Sequence, residues 1–325
     1  MQLIETPEPH RFCVAPMLDW TTPECRALHR LFTRRAFLYT EMVTTGALIY
    51  GDAARHLQHQ ADAPCALQLG GGEPEALARA CEIALSYGYQ EINLNVGCPS
   101  DRVQNNRIGA CLMDDAPLVA ECLSAMQQTA GTVPVTVKHR LAIDEQDERD
   151  VLHFVETVAS RSPCRVFIIH ARKAWLQGLS PKANRDVPPL NYSLVYEVKR
   201  RFPALTVIIN GGITDLAQCR AHLQHVDGVM LGRAAYQNPE LLLAADTLYG
   251  DAAQTLNAVL PQIRALIAAR LARGEPLSHY TRHLLGLFPG VRGAKHYRRI
   301  LSEEARAPGA GIDIFDRALA AVAPP

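Results

Sequence analysis

Asn210-Gly211-Gly212-Ile213 and, some twenty residues on, Gly232-Arg233 form a combination that suits phosphate. Glycines let backbone N–H groups approach an anion closely, and an arginine can add a two-pronged contact. Lys138 and His170 are further cationic or proton-bearing groups, and Gln68 and Asn95 carry amides able to read the edge of a heterocycle. Cys98, directly before Pro99 in EINLNVGCPS (91–100), is either a small apolar residue or a thiol presented to a ligand. Each residue also has a plain structural reading. A strand-end lysine is commonly a solvated terminus, a histidine a satisfied core residue, and a Gly-Gly pair a tight turn needing positive φ. Gathered at one place, they point instead to a phosphate-bearing ligand.

Gathering them requires a scaffold that brings distant residues together. Eight short β-rich apolar runs recur, at 11–17, 37–43, 65–71, 91–97, 133–140, 165–172, 205–212 and 228–235. Segments between them, such as PEALARACEIALSYG and APLVAECLSAMQQTAG, place apolar residues at helical spacing and carry Gly near their ends. Eight strand–helix units predict a (β/α)8 TIM barrel; an open doubly wound sheet, which usually stops at about five or six strands, is the alternative. In a barrel the strand C-termini form one rim, so they can be read in order. They are Ala15-Pro16-Met17, Gln68-Leu69-Gly70-Gly71, Asn95-Val96-Gly97-Cys98, Lys138-His139-Arg140, His170-Ala171-Arg172, Asn210-Gly211-Gly212 and Gly232-Arg233. Polar residues crowd that rim.

Past Leu248 the pattern turns wholly helical, in LNAVLPQIRALIAARLARG, SHYTRHLLGLF, GAKHYRRILSEEA and IDIFDRALAAV. The reading is a catalytic barrel over 1–248 and a small helical domain over 249–325, with the boundary near Tyr249–Ala253. Basic and acidic residues balance at 33 each, but residues 261–306 hold nine Arg and Lys against three Glu. That local excess points to an anionic partner for the helical part. The loop 171–192, ARKAWLQGLSPKANRDVPPLNY, is long for a barrel and sets Arg172, Lys173, Lys182 and Arg185 around Trp175. An aromatic among cations suits nucleic-acid phosphates and a stacked base; an ordinary solvated loop is the alternative. No apolar run approaches the ~18 to 20 residues of a membrane span, and MQLIETPEPHRF lacks the pattern of a signal peptide. A cytosolic (cytoplasmic) protein is expected. The nine cysteines form no CxxC and no zinc-type spacing, so no metal is expected and most of them read as core residues.

The segments APML, LQLGG, LNVGCPS, VKHR, HAR, GLSPKANR, NGGI, GVMLGRAAYQNP and FPGVRGAKHYRR together resemble the tRNA-dihydrouridine synthases over nearly the whole chain. They are most like the bacterial A-type subfamily, which acts on D-loop positions 20 and 20a. The resemblance implies an FMN-dependent oxidoreductase that reduces the C5–C6 double bond of uridine in tRNA, with NADPH supplying the electrons. It implies FMN contacts at Pro16, Met17, Gln68, Lys138, His170, Asn210, Gly211, Gly212, Gly232 and Arg233. It makes Cys98 the proton donor, Asn95 a contact of the substrate uridine, and Lys182 and Arg185 contacts of the tRNA. Arg298 and Arg299 match a C-terminal RNA-binding signature. The implied partner is tRNA, with no membrane, and the protein is expected to be a monomer.

Hydride addition at uracil C6 leaves an enolate that needs a proton at C5 from the opposite face. A free thiol with a pKa of about 8.5 is mostly protonated at neutral pH and can act as that acid. Pro99 biases Cys98 toward extended geometry, so the loop can carry the thiol over the flavin. Two other classes stay open: a flavin barrel reducing a small free substrate such as dihydroorotate or an enone, and a non-catalytic RNA-binding barrel. The first has no need of a basic helical tail, and the second no need of Cys98 or the rim.

Overall fold

In the computed structural model, which describes residues 9–59, 61–100 and 107–322, eight short parallel strands close into a barrel in sequence order. They are β1 (Phe12–Val14), β2 (Phe37–Thr44), β3 (Cys65–Gly70), β4 (Glu91–Val96), β5 (Val135–Arg140), β6 (Val166–His170), β7 (Thr206–Asn210) and β8 (Gly228–Leu231). Cys13 of β1 lies opposite both Phe37 of β2 and Met230 of β8, which closes the ring. The (β/α)8 architecture read from the sequence is present, and the open sheet is excluded.

Alternation along the strands decides what fills the barrel. In β4, Ile92, Leu94 and Val96 join the core beneath the surrounding helices, while Glu91, Asn93 and Asn95 bond to one another's neighbours inside the ring. The other side of the interior is apolar: Cys13, Phe37, Ile168, Ile208 and Met230 pack together there. The connecting helices start where the sequence supplies caps. Thr22 before Pro23–Phe32, Asp115 before Ala116–Ala130 and Asp147 before Glu148–Arg161 each accept a backbone N–H from the first turn.

Several strands are shorter than their apolar runs. β1 stops at Val14 and not Met17, since Pro16 has no N–H to give a ladder. β7 stops at Asn210 because Gly211 and Gly212 turn at φ +112° and +71°. β8 stops at Leu231, and Arg233 opens a short helix, Arg233–Gln237. Pro16, Met17, Gly211, Gly212 and Gly232 therefore stand in loops over the barrel mouth, while Gln68, Asn95, Lys138, His170 and Asn210 lie in the last residues of their strands.

The C-terminal helices Leu256–Leu271, Ala294–Glu303 and Ile312–Ala320 form where the periodicity puts them. SHYTRHLLGLF differs, giving one helical turn, Ser278–Thr281. The chain then bends so that Gly286 passes the Gln237 carbonyl, where a Cβ would sit 2.2 Å from the oxygen. These helices lock onto the first strand–helix unit. Gln254 Nε2 donates to the Leu31 and Phe32 carbonyls at 3.2 and 2.9 Å, and Arg282 donates to the Asp19 carbonyl at 2.7 Å. The His283 ring joins Thr22 Oγ1 (3.2 Å) to the Tyr236 hydroxyl (3.1 Å), and Tyr249 OH accepts the Phe12 amide at 2.9 Å. Val259, Ile263, Tyr280 and Phe315 belong to the same apolar cluster as the outer layer of the barrel. No described helix is long and apolar enough to cross a membrane.

Candidate active site

A cavity of about 490 Å³ opens at the C-terminal end of the barrel. Pro16, Met17, Gln68, Lys138, His170, Asn210, Gly211, Gly212, Gly232 and Arg233 line it, together with Asn95, Cys98 and Arg185. Lys182 is exposed on the rim loop and does not line it. Arg298 and Arg299 lie elsewhere, on the solvent face of Ala294–Glu303, whose Tyr297, Ile300 and Leu301 are buried.

Cys98 leaves β4 in a turn held from three sides. Asn95 Oδ1 accepts the Gly97 and Cys98 amides at 3.1 and 3.0 Å. The Cys98 carbonyl accepts the Ala110 amide at 2.9 Å, and the Gly97 carbonyl accepts Arg140 Nε at 3.0 Å. Gly109, at φ +83°, passes so close that a Cβ would stand 2.4 Å from the Cys98 oxygen. Seven of the nine cysteines are buried; only Cys98 and Cys111 are partly accessible.

Alternation in β5 puts Lys138 and Arg140 at the cavity and turns His139 the other way, against Phe154 and Phe167. Burial lowers the His139 pKa to about 4, so it is a neutral core histidine. Lys138 borders the cavity half-buried, and its side chain makes no hydrogen bond with any described residue. Burial, then the Arg140 guanidinium, pull its pKa down to about 7. Arg140 itself is lowered to about 10 by burial, and it donates to the Lys173 and Asn184 carbonyls at 2.9 and 2.8 Å. Burial, then the cations Arg140, Lys138, Arg172 and Arg185, push His170 well below the usual histidine range, leaving a neutral imidazole. Charge-depleted basic groups in a cleft are poised to gain stabilisation from an anion.

Across the mouth, Gly211 and Gly212 form the cradle. A Cβ on Gly211 would stand 2.5 Å from His170 Cδ2, and one on Gly212 would stand 2.5 Å from Leu190 Cδ1. Tyr192 OH donates to the Gly211 carbonyl at 2.8 Å and braces the turn. Arg233 donates to Asp186 Oδ1 at 2.7 Å and so stands at the rim with its guanidinium shared with an exposed carboxylate.

Two features escape the reading of the sequence, and one it offers is not at the site. Arg140 was seen only as a strand end, although its spacing of two from Lys138 places both on one face. Trp20 lines the cavity and stacks on Tyr236, with ring centroids 4.3 Å apart and planes at 11°. Trp175, the aromatic singled out earlier, does not line it; its backbone pairs with the buried Asn184 at 2.8 Å in both directions. Among the described residues no cluster of three or more His, Cys, Asp or Glu could hold a metal ion.

The profile of the family described as "Dihydrouridine synthase (Dus)" matches residues 13–321. The chain is 55% identical over 318 residues to a tRNA-dihydrouridine(20/20a) synthase of Yersinia pestis, covering 97% of this chain and 92% of that protein. It is 53% identical over 317 residues to the protein of that name from Escherichia coli strain K12, covering 96% and 92%. Among solved structures, morphinone reductase superposes at a TM-score of 0.51 and 15% identity over 75% of this chain and 87% of that one, a likeness of fold. A profile match along nearly the whole chain, with relatives above half identity, settles the kinship: the chain belongs to the dihydrouridine synthase family.

Proposed function

We propose that the protein reduces uridine to 5,6-dihydrouridine at D-loop positions 20 and 20a of tRNA, with FMN in the cavity and NADPH as reductant. The names borne by its relatives support the substrate and the positions. The observation that carries the chemistry is Cys98 at the exit of β4, across the mouth from the Gly211–Gly212 cradle, His170 and Arg233.

FMN fits the residues present, because a phosphate suits the two positive-φ glycines and Arg233, while the half-buried Lys138 at the cavity wall suits an electron-rich ring edge. When bound, FMN supplies the hydride for uracil C6, replenished from NADPH. The protein's own part is to deliver the matching proton. Cys98 Sγ–H gives it to C5, the S–H bond breaks as the C–H bond forms, and water at the mouth restores the thiol. Gln68 and Asn95 present N–H groups to carbonyl oxygens, and Pro16, Met17, Asn210 and Gly232 shape the walls. We assign this chemistry to residues 1–248 and tRNA docking to residues 249–325 with Lys182 and Arg185 on the rim. A base must leave the folded tRNA to reach Cys98, at a cost offset by contacts elsewhere.

The test is to incubate the FMN-loaded protein and NADPH with unmodified tRNA, free uridine and orotate, and to map dihydrouridine by mass spectrometry. Product at positions 20 and 20a of tRNA supports the reading; turnover of only the free pyrimidines sinks it.

Lys138 gives a pH signature. With its free pKa lowered to about 7, the side chain is mostly neutral at pH 8. An anionic ligand favours the ammonium, so FMN binding should take up a proton between about pH 7 and 9, and affinity should fall as pH rises through that window. Calorimetry in buffers of different ionisation enthalpy reads the uptake, and Lys138→Met should abolish it.

Arg298 and Arg299 form no ion pair among the described residues. Changing both to Ala should raise KM for tRNA and reduce the salt dependence of binding by about 0.7 to 0.9 in log–log slope per lost phosphate contact. Flavin content and NADPH oxidation should not change. Equal tRNA affinity across a salt titration would make this face an ordinary solvated one.

A further inference from the structure

We infer that Glu91, buried low in the barrel, sets the position of Cys98 through a one-way ladder of hydrogen bonds, and that Thr136 is the positioning residue at its first rung. The inference rests on the role given to Cys98 above. The Thr136 hydroxyl donates to Glu91 Oε1 at 2.7 Å and accepts from Asn93 Nδ2 at 2.8 Å. Asn93 Oδ1 accepts from Gln68 Nε2, and Gln68 Oε1 accepts from Asn95 Nδ2, each at 2.8 Å. Asn95 Oδ1 then accepts the Gly97 and Cys98 amides. Glu91, Asn93, Gln68 and Thr136 are all buried.

Every donor in this series points down toward the carboxylate. An ionised carboxylate only accepts, so Thr136 has to donate to it and is left with lone pairs for Asn93. That choice orients the Asn93 amide, which orients Gln68, which orients Asn95. The last rung leaves a carbonyl oxygen, and not an NH2, facing the turn that carries Cys98. The remaining hydrogens on Gln68 Nε2 and Asn95 Nδ2 make this corner of the cavity donor-rich, which selects carbonyl oxygens in whatever binds. Space filling does not demand such a series: Ile168, Ile208 and Met230 fill the other side of the same interior. Two more donors reach Glu91 from the side, the Tyr39 hydroxyl at 2.7 Å and His10 Nε2 at 2.5 Å, and neither belongs to the ladder.

The test compares Thr136→Val, Thr136→Ser, Glu91→Gln and Tyr39→Phe. Valine keeps the shape of Thr136 and removes the hydroxyl. Glutamine keeps the shape of Glu91 but can donate, so it no longer dictates direction. Both should raise hydrogen exchange of the Gly97 and Cys98 amides by about tenfold or more, measured on the purified protein without tRNA. Both should lower kcat for uridine reduction by ~10- to 100-fold, as small misplacements do, with KM for tRNA and NADPH oxidation unchanged. Thr136→Ser should restore both readouts, and Tyr39→Phe should leave them at wild-type values. Wild-type exchange in Thr136→Val, or an equal effect from Tyr39→Phe, overturns the proposal. If Thr136→Val does not fold, wild-type exchange in Glu91→Gln overturns it. Wild-type protein that reduces no uridine in tRNA sinks the assigned reaction instead, and the amide exchange still decides the ladder.

Discussion

Cys98→Ala should lower uridine reduction by ~10² to 10⁴, the loss typical of a missing general acid, while FMN content and NADPH oxidation stay at wild-type values. The separation follows from how the turn is held. Its bonds to Asn95 and Ala110 use the Cys98 backbone, which alanine keeps. The thiol is partly accessible and does not belong to the apolar core, so its removal leaves no buried void. What disappears is the proton for C5. Reduced protein mixed with tRNA in a single turnover, with dihydrouridine counted by mass spectrometry, reads the step directly. Cys111→Ala is the control: burial raises that thiol's pKa, and among the described residues it donates only to the Ile108 carbonyl, at 3.4 Å. A wild-type rate for Cys98→Ala would move the acid to another group.

Gly211→Ala should cost FMN binding about 10- to 100-fold, since losing a charge-assisted bond costs roughly 1.5 to 3 kcal/mol. At φ +112°, alanine is strained before any contact is counted. Its Cβ would then stand 2.5 Å from His170 Cδ2 and 2.9 Å from His170 Nε2. Relief requires the imidazole to swing into the cavity or the turn to withdraw from the anion, and either removes part of the cradle. Gly88→Ala separates strain from site, because Gly88 also has positive φ (+75°) but a Cβ there meets nothing within 4 Å. It should lower thermal stability and leave FMN affinity intact. Titration of the apoprotein with FMN distinguishes them, and equal affinities for Gly211→Ala and wild type would refute the cradle.

The β4 stretch shows how much the sequence disclosed. Alternation in EINLNV placed three polar residues on one face and three apolar ones on the other, and both faces are where the period puts them. Alternation alone does not say which face is inside, and the usual expectation of an apolar interior is reversed here along β4 and β5. Only the register of β3, β4 and β5, with Gln68 opposite Asn93 and Asn93 opposite Thr136, brings these side chains within bonding distance of one another. The rim residues were legible because turn glycines and paired cations carry local signatures. Arg140 and Trp20 were not, because their roles depend on partners far away in sequence: Asn184 for one, Tyr236 for the other. Trp175 misled for the converse reason, as a loop of cations around an indole looks alike whether the ring faces a ligand or the loop's own backbone.

β1 has three residues, and its partners lie far apart along the chain. Val14 pairs with Leu38 on one side and Leu231 on the other, and the Phe12 amide is capped by Tyr249. On a ribosome adding about 5 to 20 residues per second, residues 12–14 wait roughly 11 to 43 s before β8 ends at Leu231. Until then any sheet built from the earlier strands has two bare edges, which are open to wrong pairing. A message cut short ahead of Gly228 therefore encodes no smaller barrel, because it lacks the strand that pairs with β1.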